Sequence, residues 1–203
     1  MKRTIACILF LLATVCAFSQ SLGNGFQNTR WGMSVQEVRD TMSANISVRF
    51  NVSRIENGER VLIYNSLTSG SDGRFDFTIR FIFNQDRLYR VRFSPALTDT
   101  NMERTLLNEL INRYGNNFRT YSITTEQAGR VSRGFNVTEW SDTVTSISFF
   151  SSWMNDAQGR FGTPRNSYVE YLSRQIYNEI QNARRRTEDE RRSNTQRNIL
   201  DNL

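Results

Sequence analysis

Two pairs of carboxylates lie close enough in the sequence to act together as acid and base. The first pair is Asp72, in a turn beside Gly73, and Asp76, in the predicted strand that follows. The second pair is Glu139 and Asp142, which bracket a predicted hairpin turn. Glycoside cleavage needs two carboxyl groups about 5 to 10 Å apart, one of them with a raised pKa. The alternative is structural, because aspartate is favoured in turns, where its side chain accepts from nearby backbone amides. We expect the structural role, and the spacing of Asp72 and Asp76 does not match a calcium-binding loop.

Arginines give a second chemical signal. Arg80, Arg90 and Arg92 alternate with apolar residues on two predicted strands, so the register places them on one outer face of a sheet. Guanidinium groups bind planar anions such as phosphate or an acidic polysaccharide. These three residues are therefore candidate binding residues, with an ordinary solvated face as the alternative.

Three further candidate binding residues lie near the C-terminus, where Arg184, Arg185 and Arg186 each precede an acidic residue by four positions. Pairs with this spacing stabilise an exposed helix by about 0.2 to 0.5 kcal/mol each. The segment is therefore expected to be a charged helix, either a solvated projection or a docking arm for an acidic partner or an anionic polymer.

The amino-acid inventory excludes much enzyme chemistry. The chain has no histidine, its two cysteines are Cys7 and Cys16, and its only lysine is Lys2. Without the first nineteen residues, no Ser-His-Asp, Cys-His or Ser-Lys arrangement, no Schiff-base lysine, no structural zinc site and no phosphate-binding P-loop can form. We therefore predict no catalytic residue, no metal site and no cofactor.

The N-terminus has the pattern of an export signal. Lys2 and Arg3 precede an apolar run over residues 5–17, and small residues at Ala17 and Ser19 favour cleavage after Ser19. The run is too short for the roughly 20 residues of a membrane-spanning helix. Cleavage would lower the formal net charge by two, from +6 to +4. We expect a periplasmic or secreted protein, with lipid attachment at Cys16 as an alternative, and export argues against nucleic acid as its ligand.

The clearest local signal for a helix is a capping box. Ser34 can cap a helix whose third residue, Glu37, reaches back to the amide of Ser34. Val35, Val38 and Met42 then form one apolar stripe.

Alternating apolar residues predict strands over residues 46–55, 60–67, 75–83 and 88–93, with Tyr89, Val91 and Phe93 on one face. A second capping signal and Gly115 predict a helix over residues 100–114, whose apolar face comprises Met102, Leu106, Leu107, Leu110, Ile111 and Tyr114. Further strands are predicted over residues 118–125, 133–140 and 143–153, whereas residues 167–172 fit either a strand or the beginning of the last helix.

This order predicts an α+β fold of two halves, each a helix packed on an antiparallel sheet, as an internal duplication would give. With 38% hydrophobic and 23% charged residues the chain is globular. The predicted segments are a signal peptide over 1–19, a first half over 20–97, a second half over 98–172 and a charged C-terminal helix or tail over 173–203. The pattern leaves open whether the halves share one sheet.

Residues 31–38 resemble the opening Trp-Gly-x-Ser-x-x-Glu-Val of a group of small exported bacterial domains, with Tyr114-Gly115 and Trp140-Ser141 at later positions of the same pattern. The resemblance covers about residues 26–172, and the arrangement is also similar to BamE-type outer-membrane assembly lipoproteins and tandem β-lactamase inhibitor proteins. It implies a binding or scaffolding protein without catalytic residues. The expected function is thus a non-catalytic binding or assembly module of the cell envelope with a protein partner; the alternatives are a carboxylate-only glycoside hydrolase and an arginine-rich anion-binding surface protein.

Overall fold

The computed structural model describes residues 22–45, 47–67, 77–96, 100–128, 131–155 and 167–200. Within these ranges lie three helices, α1 (Val35–Ser43), α2 (Thr100–Tyr114) and α3 (Arg174–Leu200). The strands are β1 (Val48–Glu56), β2 (Glu59–Ser66), β3 (Phe77–Asn84), β4 (Arg87–Pro95), β5 (Arg119–Ala128), β6 (Val131–Ser141), β7 (Thr145–Asn155) and β8 (Tyr168–Ser173). The predicted signal peptide, Cys16 and the Asp72–Asp76 pair lie outside the described residues.

All eight strands form one antiparallel sheet in the order β1-β2-β3-β4-β8-β7-β6-β5. The last strands of the two halves, β4 and β8, pair at its centre, where Val91 lies opposite Tyr171. The halves therefore share a continuous sheet. Each half contributes four strands in chain order from its outer edge to the centre, β1 to β4 in the first half and β5 to β8 in the second. The α+β fold is confirmed, and residues 168–172 of the ambiguous segment belong to strand β8.

The predicted capping box begins α1. The amide of Glu37 donates to Ser34 Oγ at 3.2 Å, and Glu37 Oε2 accepts from the Ser34 amide at 2.7 Å. Hydrogen bonds to Glu37 Oε2, first from the Ser34 amide and then from the Ser34 hydroxyl, lower the pKa of Glu37. Val38 and Met42 are buried, so the predicted stripe of this helix is confirmed.

The Trp-Gly segment before α1 fixes the helix to both halves of the sheet. Trp31 Nε1 donates to Thr145 Oγ1 at 2.9 Å, at the start of β7. Gly32 has a φ of +86° and donates its amide to the Leu88 carbonyl, while the Leu88 amide donates to Met33, both at 2.8 Å. The motif that carries the resemblance thus has a structural role here.

Helices α1 and α2 pack on one face of the sheet, the inner face, over a single apolar core. This core includes Val38 and Met42 of α1, Leu110 of α2, and Leu62, Tyr64, Ile79, Phe81, Phe83, Val91, Trp140, Ile147, Phe149, Val169 and Tyr171 of the strands. Helix α2 ends as predicted, with Gly115 at a φ of +81°. The prediction for Met102 was wrong: it is 43% exposed. The inward position in the first turn belongs to Glu103, which accepts from Ser167 Oγ at 2.6 Å.

Helix α3 packs on the opposite, outer face. Its Ile176 and Ile180 form a second apolar cluster with Val61, Ile63, Ile82 and Tyr89. The prediction that Tyr89 shares a face with Val91 and Phe93 was therefore wrong. The register of β3 and β4 shifts between Ile82 and Phe83, and this bulge turns Tyr89 to the outer face.

Candidate binding surface

The three strand arginines lie together on the outer face, as the register predicts, but each lies beside a carboxylate. Arg80 is paired with Arg92 across β3 and β4. Arg92 Nη2 lies 2.9 Å from Glu170 Oε2, and Arg90 Nε lies 3.9 Å from Glu170 Oε1. Arg80 Nη2 donates to Glu56 Oε1 at 3.1 Å. Neither glutamate could be assigned to this cluster from the sequence, because both come from distant strands, and their charges offset much of the positive charge of the cluster.

Aromatic rings hold two of these arginines. The guanidinium carbon of Arg92 lies 4.2 Å from the centre of the Tyr168 ring. That of Arg90 lies 5.2 Å from the Tyr89 ring and 5.9 Å from the Tyr177 ring. Cations over aromatic faces are attracted by the ring quadrupole. Arg90 and Arg92 are therefore fixed between rings and a carboxylate.

The three tail arginines have different surroundings. Arg184 Nη2 donates to Glu59 Oε1 at 3.2 Å, and the hydroxyl of Tyr89 donates to the same oxygen at 2.8 Å. Arg185 and Arg186 are exposed. Within described α3, none of the three arginines pairs with the acidic residue four positions on, so the ion pairs expected from the spacing do not form. Of the three, only Arg184 is tied to the sheet.

Glu139, a candidate acid, is part of a saturated hydrogen-bond network. Its Oε2 accepts from Arg119 Nε at 3.1 Å, Arg119 Nη2 at 2.8 Å and the Tyr121 hydroxyl at 3.1 Å. Its Oε1 accepts from Ser146 Oγ at 2.9 Å. The side chain is buried on the outer face between β5 and β7. Because both oxygens are occupied by neighbouring side chains, Glu139 acts as an internal counter-ion for Arg119.

Asp142, its predicted partner, organises the turn between β6 and β7. Its Oδ1 accepts from the amides of Val144 and Thr145, both at 2.7 Å, and its Oδ2 accepts from the Leu22 amide at 2.9 Å. Desolvation by burial favours the neutral acid, but the three amide hydrogen bonds and the charge of Arg174 outweigh it and lower the pKa of Asp142. A carboxyl group with a lowered pKa is ionised at neutral pH and holds no proton for acid catalysis.

Neither metal sites nor membrane spans appear in the part of the chain that the structure describes. No group of three or more Cys, His, Asp or Glu side chains there could hold a metal ion. No helix in the described ranges is both long enough and apolar enough to cross a membrane.

The most distinctive surface feature is an aromatic cluster on the outer face of the second half, which we name the outer aromatic patch: Phe135, Phe150 and Tyr168. The rings of Phe150 and Tyr168 stack with centroids 4.6 Å apart, and the Phe135 ring meets both edge-on at 5.8 and 5.6 Å. Burial raises the pKa of the Tyr168 hydroxyl. All three side chains are half-buried. They are absent from the apolar cluster under α3, so no described helix packs on them.

The patch adjoins the arginine cluster, because the Arg92 guanidinium lies over Tyr168. The patch could not be predicted from the sequence, because the alternation in β6 and β7 distinguishes two faces of the sheet but does not indicate which face a helix covers. The available signal was the pair of adjacent phenylalanines in β7, Phe149 and Phe150, which places one large aromatic ring on each face of the sheet.

No protein-family model, curated protein or solved structure matches this chain. The resemblance to exported bacterial domains and to BamE-type lipoproteins therefore stays a prediction.

Proposed function

We propose that this chain is an exported, non-catalytic binding or assembly module of the bacterial cell envelope, and that it contacts a protein partner through the outer aromatic patch. Export is proposed from the basic, then apolar, N-terminal sequence and the small residues at Ala17 and Ser19. Removal of that segment leaves a chain whose ionisable side chains are carboxylates, phenols and guanidinium groups. Such a chain is better suited to binding than to acid–base or nucleophilic catalysis.

The outer aromatic patch is the observation that carries the proposal. Aromatic residues and arginine are enriched in the centres of protein interfaces, where rigid rings contribute large contact areas. Here Phe135, Phe150 and Tyr168 are fixed against one another, and Arg92 is held at their side by Glu170. A preorganised aromatic surface beside an ion pair that is already formed loses little side-chain freedom when a partner binds.

The two alternatives have less support in the described residues. A glycoside hydrolase that used Glu139 and Asp142 would need to free a carboxylate with four hydrogen bonds and one with three. An anion-binding surface built on Arg80 and Arg92 would need to displace Glu56 and Glu170. A partner that packs on aromatic rings disturbs none of these contacts.

Site-specific photocrosslinking in cells tests the proposal. A photoreactive phenylalanine analogue at Phe150 is expected to crosslink to an envelope protein, whereas the same analogue at Asn108, exposed on α2, is expected not to. Mass spectrometry of the purified chain should place the mature N-terminus at Gln20. The proposal would be overturned by an intact precursor in the cytosol, by equal crosslinking at both positions, or by hydrolase activity that Glu139→Gln abolishes.

A further inference from the structure

β5 is an edge strand with an open surface. Among the described strands it pairs with β6 alone, so its other side presents backbone N–H and C=O groups. Residues 119–125 are all exposed. Two of them are large and apolar, Tyr121 at 40% and Ile123 at 38% exposure.

The two edges of the sheet differ in how they discourage strand addition. β1 carries Arg49 and Arg54, and the shift in its register between Phe50 and Val52 interrupts its middle. Charges and bulges are the devices by which edge strands avoid pairing with other chains. β5 keeps a regular register from residue 119 to 124, with its bulge beyond that point, and residues 120–125 are uncharged. The open edge of β5 therefore lacks the protection of β1.

We propose that β5 is a homodimer interface, in which two copies of this chain pair their β5 strands antiparallel about a two-fold axis at Ser122. A two-fold interface must be self-complementary, and this register satisfies that condition. Tyr121 of each copy lies opposite Ile123 of the other on the outer face, and Thr120 lies opposite Thr124 on the inner face. Aromatic residues opposite β-branched residues, and threonines opposite threonines, are favourable cross-strand pairs.

The charge pattern of β5 favours a second copy in this orientation. Arg119 lies at one end of the strand and Glu126 near the other, in register with Arg133 of β6. Antiparallel pairing brings the Arg119 end of one copy to the Glu126 end of the other, whereas parallel pairing would bring the two Arg119 residues together.

The resulting dimer joins two eight-stranded sheets into one of sixteen strands. The axis is perpendicular to the sheet, so both outer aromatic patches lie on the same side. Each outer edge of the dimer is then the protected strand β1, and the assembly closes at two copies. Strand pairing alone buries less than the roughly 1,200 Å² of a stable interface, so we expect a weak, concentration-dependent dimer.

Disulfide trapping tests the register directly, because the chain has no cysteine after Cys16. Ser122 lies opposite itself across the proposed axis, and Cα atoms of paired residues are about 4.5 to 5.5 Å apart, within the reach of a disulfide. Ser122→Cys is therefore expected to form a covalent dimer on mild oxidation. Thr120→Cys is the matched control, because its two copies would lie about 13 Å apart, four residues along the strand. Crosslinking of Ser122→Cys no faster than that of Thr120→Cys overturns the proposal.

Sedimentation velocity on the full chain gives a second readout. The wild-type protein is expected to shift from monomer to dimer as its concentration rises towards about 1 mM. Ile123→Lys places two like charges about 7 to 8 Å apart across the diagonal and should weaken the dimer at least tenfold. Val52→Lys, on the outer face of the other edge strand, is the matched control and should leave it unchanged. A wild-type monomer throughout this range, a dimer unaffected by Ile123→Lys, or a dimer lost in Val52→Lys would each overturn the proposal.

Discussion

Replacing Asp142 tests whether one carboxylate joins three parts of the chain. Its side-chain oxygens accept from the amides of Leu22, Val144 and Thr145. The backbone carbonyl of Asp142 accepts from the Arg174 side chain at the start of α3. Hydrogen bonds to charged groups contribute about 1.5 to 3 kcal/mol each. Because water can replace part of this at a half-buried turn, we expect Asp142→Ala to lower the free energy of unfolding by about 3 kcal/mol in total. That corresponds to a melting temperature lower by roughly 6 to 12 °C.

The pH dependence of this loss identifies its electrostatic part. The amide hydrogen bonds hold the pKa of Asp142 below its ordinary value, whereas in the unfolded chain the carboxyl group titrates near about 3.9. A lowered folded-state pKa stabilises the fold fully above the unfolded pKa, and this contribution is lost as the pH falls through the folded pKa. The difference between wild type and Asp142→Ala should therefore be largest at neutral pH and should shrink below about pH 4.

Urea denaturation followed by tryptophan fluorescence at pH 7 and pH 3 measures both effects. Glu109→Ala is the control, because Glu109 is exposed on α2 and such a change is expected to stay within about 0.5 kcal/mol. Asp142→Asn, which keeps one acceptor oxygen, should lose an intermediate amount. A loss below about 1 kcal/mol at pH 7 would contradict the reasoning. So would a loss of equal size at pH 3, because it would not depend on the ionised carboxylate.

Two further predictions concern packing. Gly134→Ala should lower the free energy of unfolding by about 1 to 3 kcal/mol or more, as overpacking does. The added Cβ would lie 2.0 Å from the Ile123 carbonyl oxygen and 2.6 Å from the Trp153 ring. An unchanged urea midpoint would contradict this close approach. Ile180→Ala should cost about 2 to 5 kcal/mol, since the Ile180 side chain is buried between α3 and the sheet. Deletion of residues 187–203 should leave the melting temperature unchanged, because residues 187–197 are exposed. Calorimetry on both variants would show whether α3 contributes only through its first turns.

Most of the elements could be predicted because their signals are local. The capping box at Ser34 and Glu37 and the glycine at 115 fix helix ends by hydrogen bonds and backbone angles within a few residues. The alternation around Phe81 determines a strand because successive side chains point to opposite faces. Residues 167–172 stayed ambiguous, since Val169 and Leu172 fit both a strand and a helical stripe, and only pairing with β4 and β7 decides between them.

The features that escaped prediction depend on distant residues. Tyr89 turns outward because the pairing of β3 with β4 shifts by one residue beside it. The alternation of residues within one strand does not indicate such a shift, because the shift depends on both strands. The counter-ions of the arginine cluster, Glu56 and Glu170, lie on strands β1 and β8. Charge runs in a sequence show which groups are available. The sheet topology decides which of them neutralise one another.

The outer aromatic patch lies where the two halves of the fold cease to be equivalent. In the first half the outer face carries Val61, Ile63, Ile82 and Tyr89, and Ile176 and Ile180 of α3 pack on them. In the second half the outer face carries Phe135, Phe150 and Tyr168, which pack on one another and do not belong to that cluster. Of the described helices, α3 alone packs on the outer face, and its apolar cluster lies on the first half. The patch is therefore not explained by the helix packing that covers the first half, and contact with a partner is the explanation that we propose.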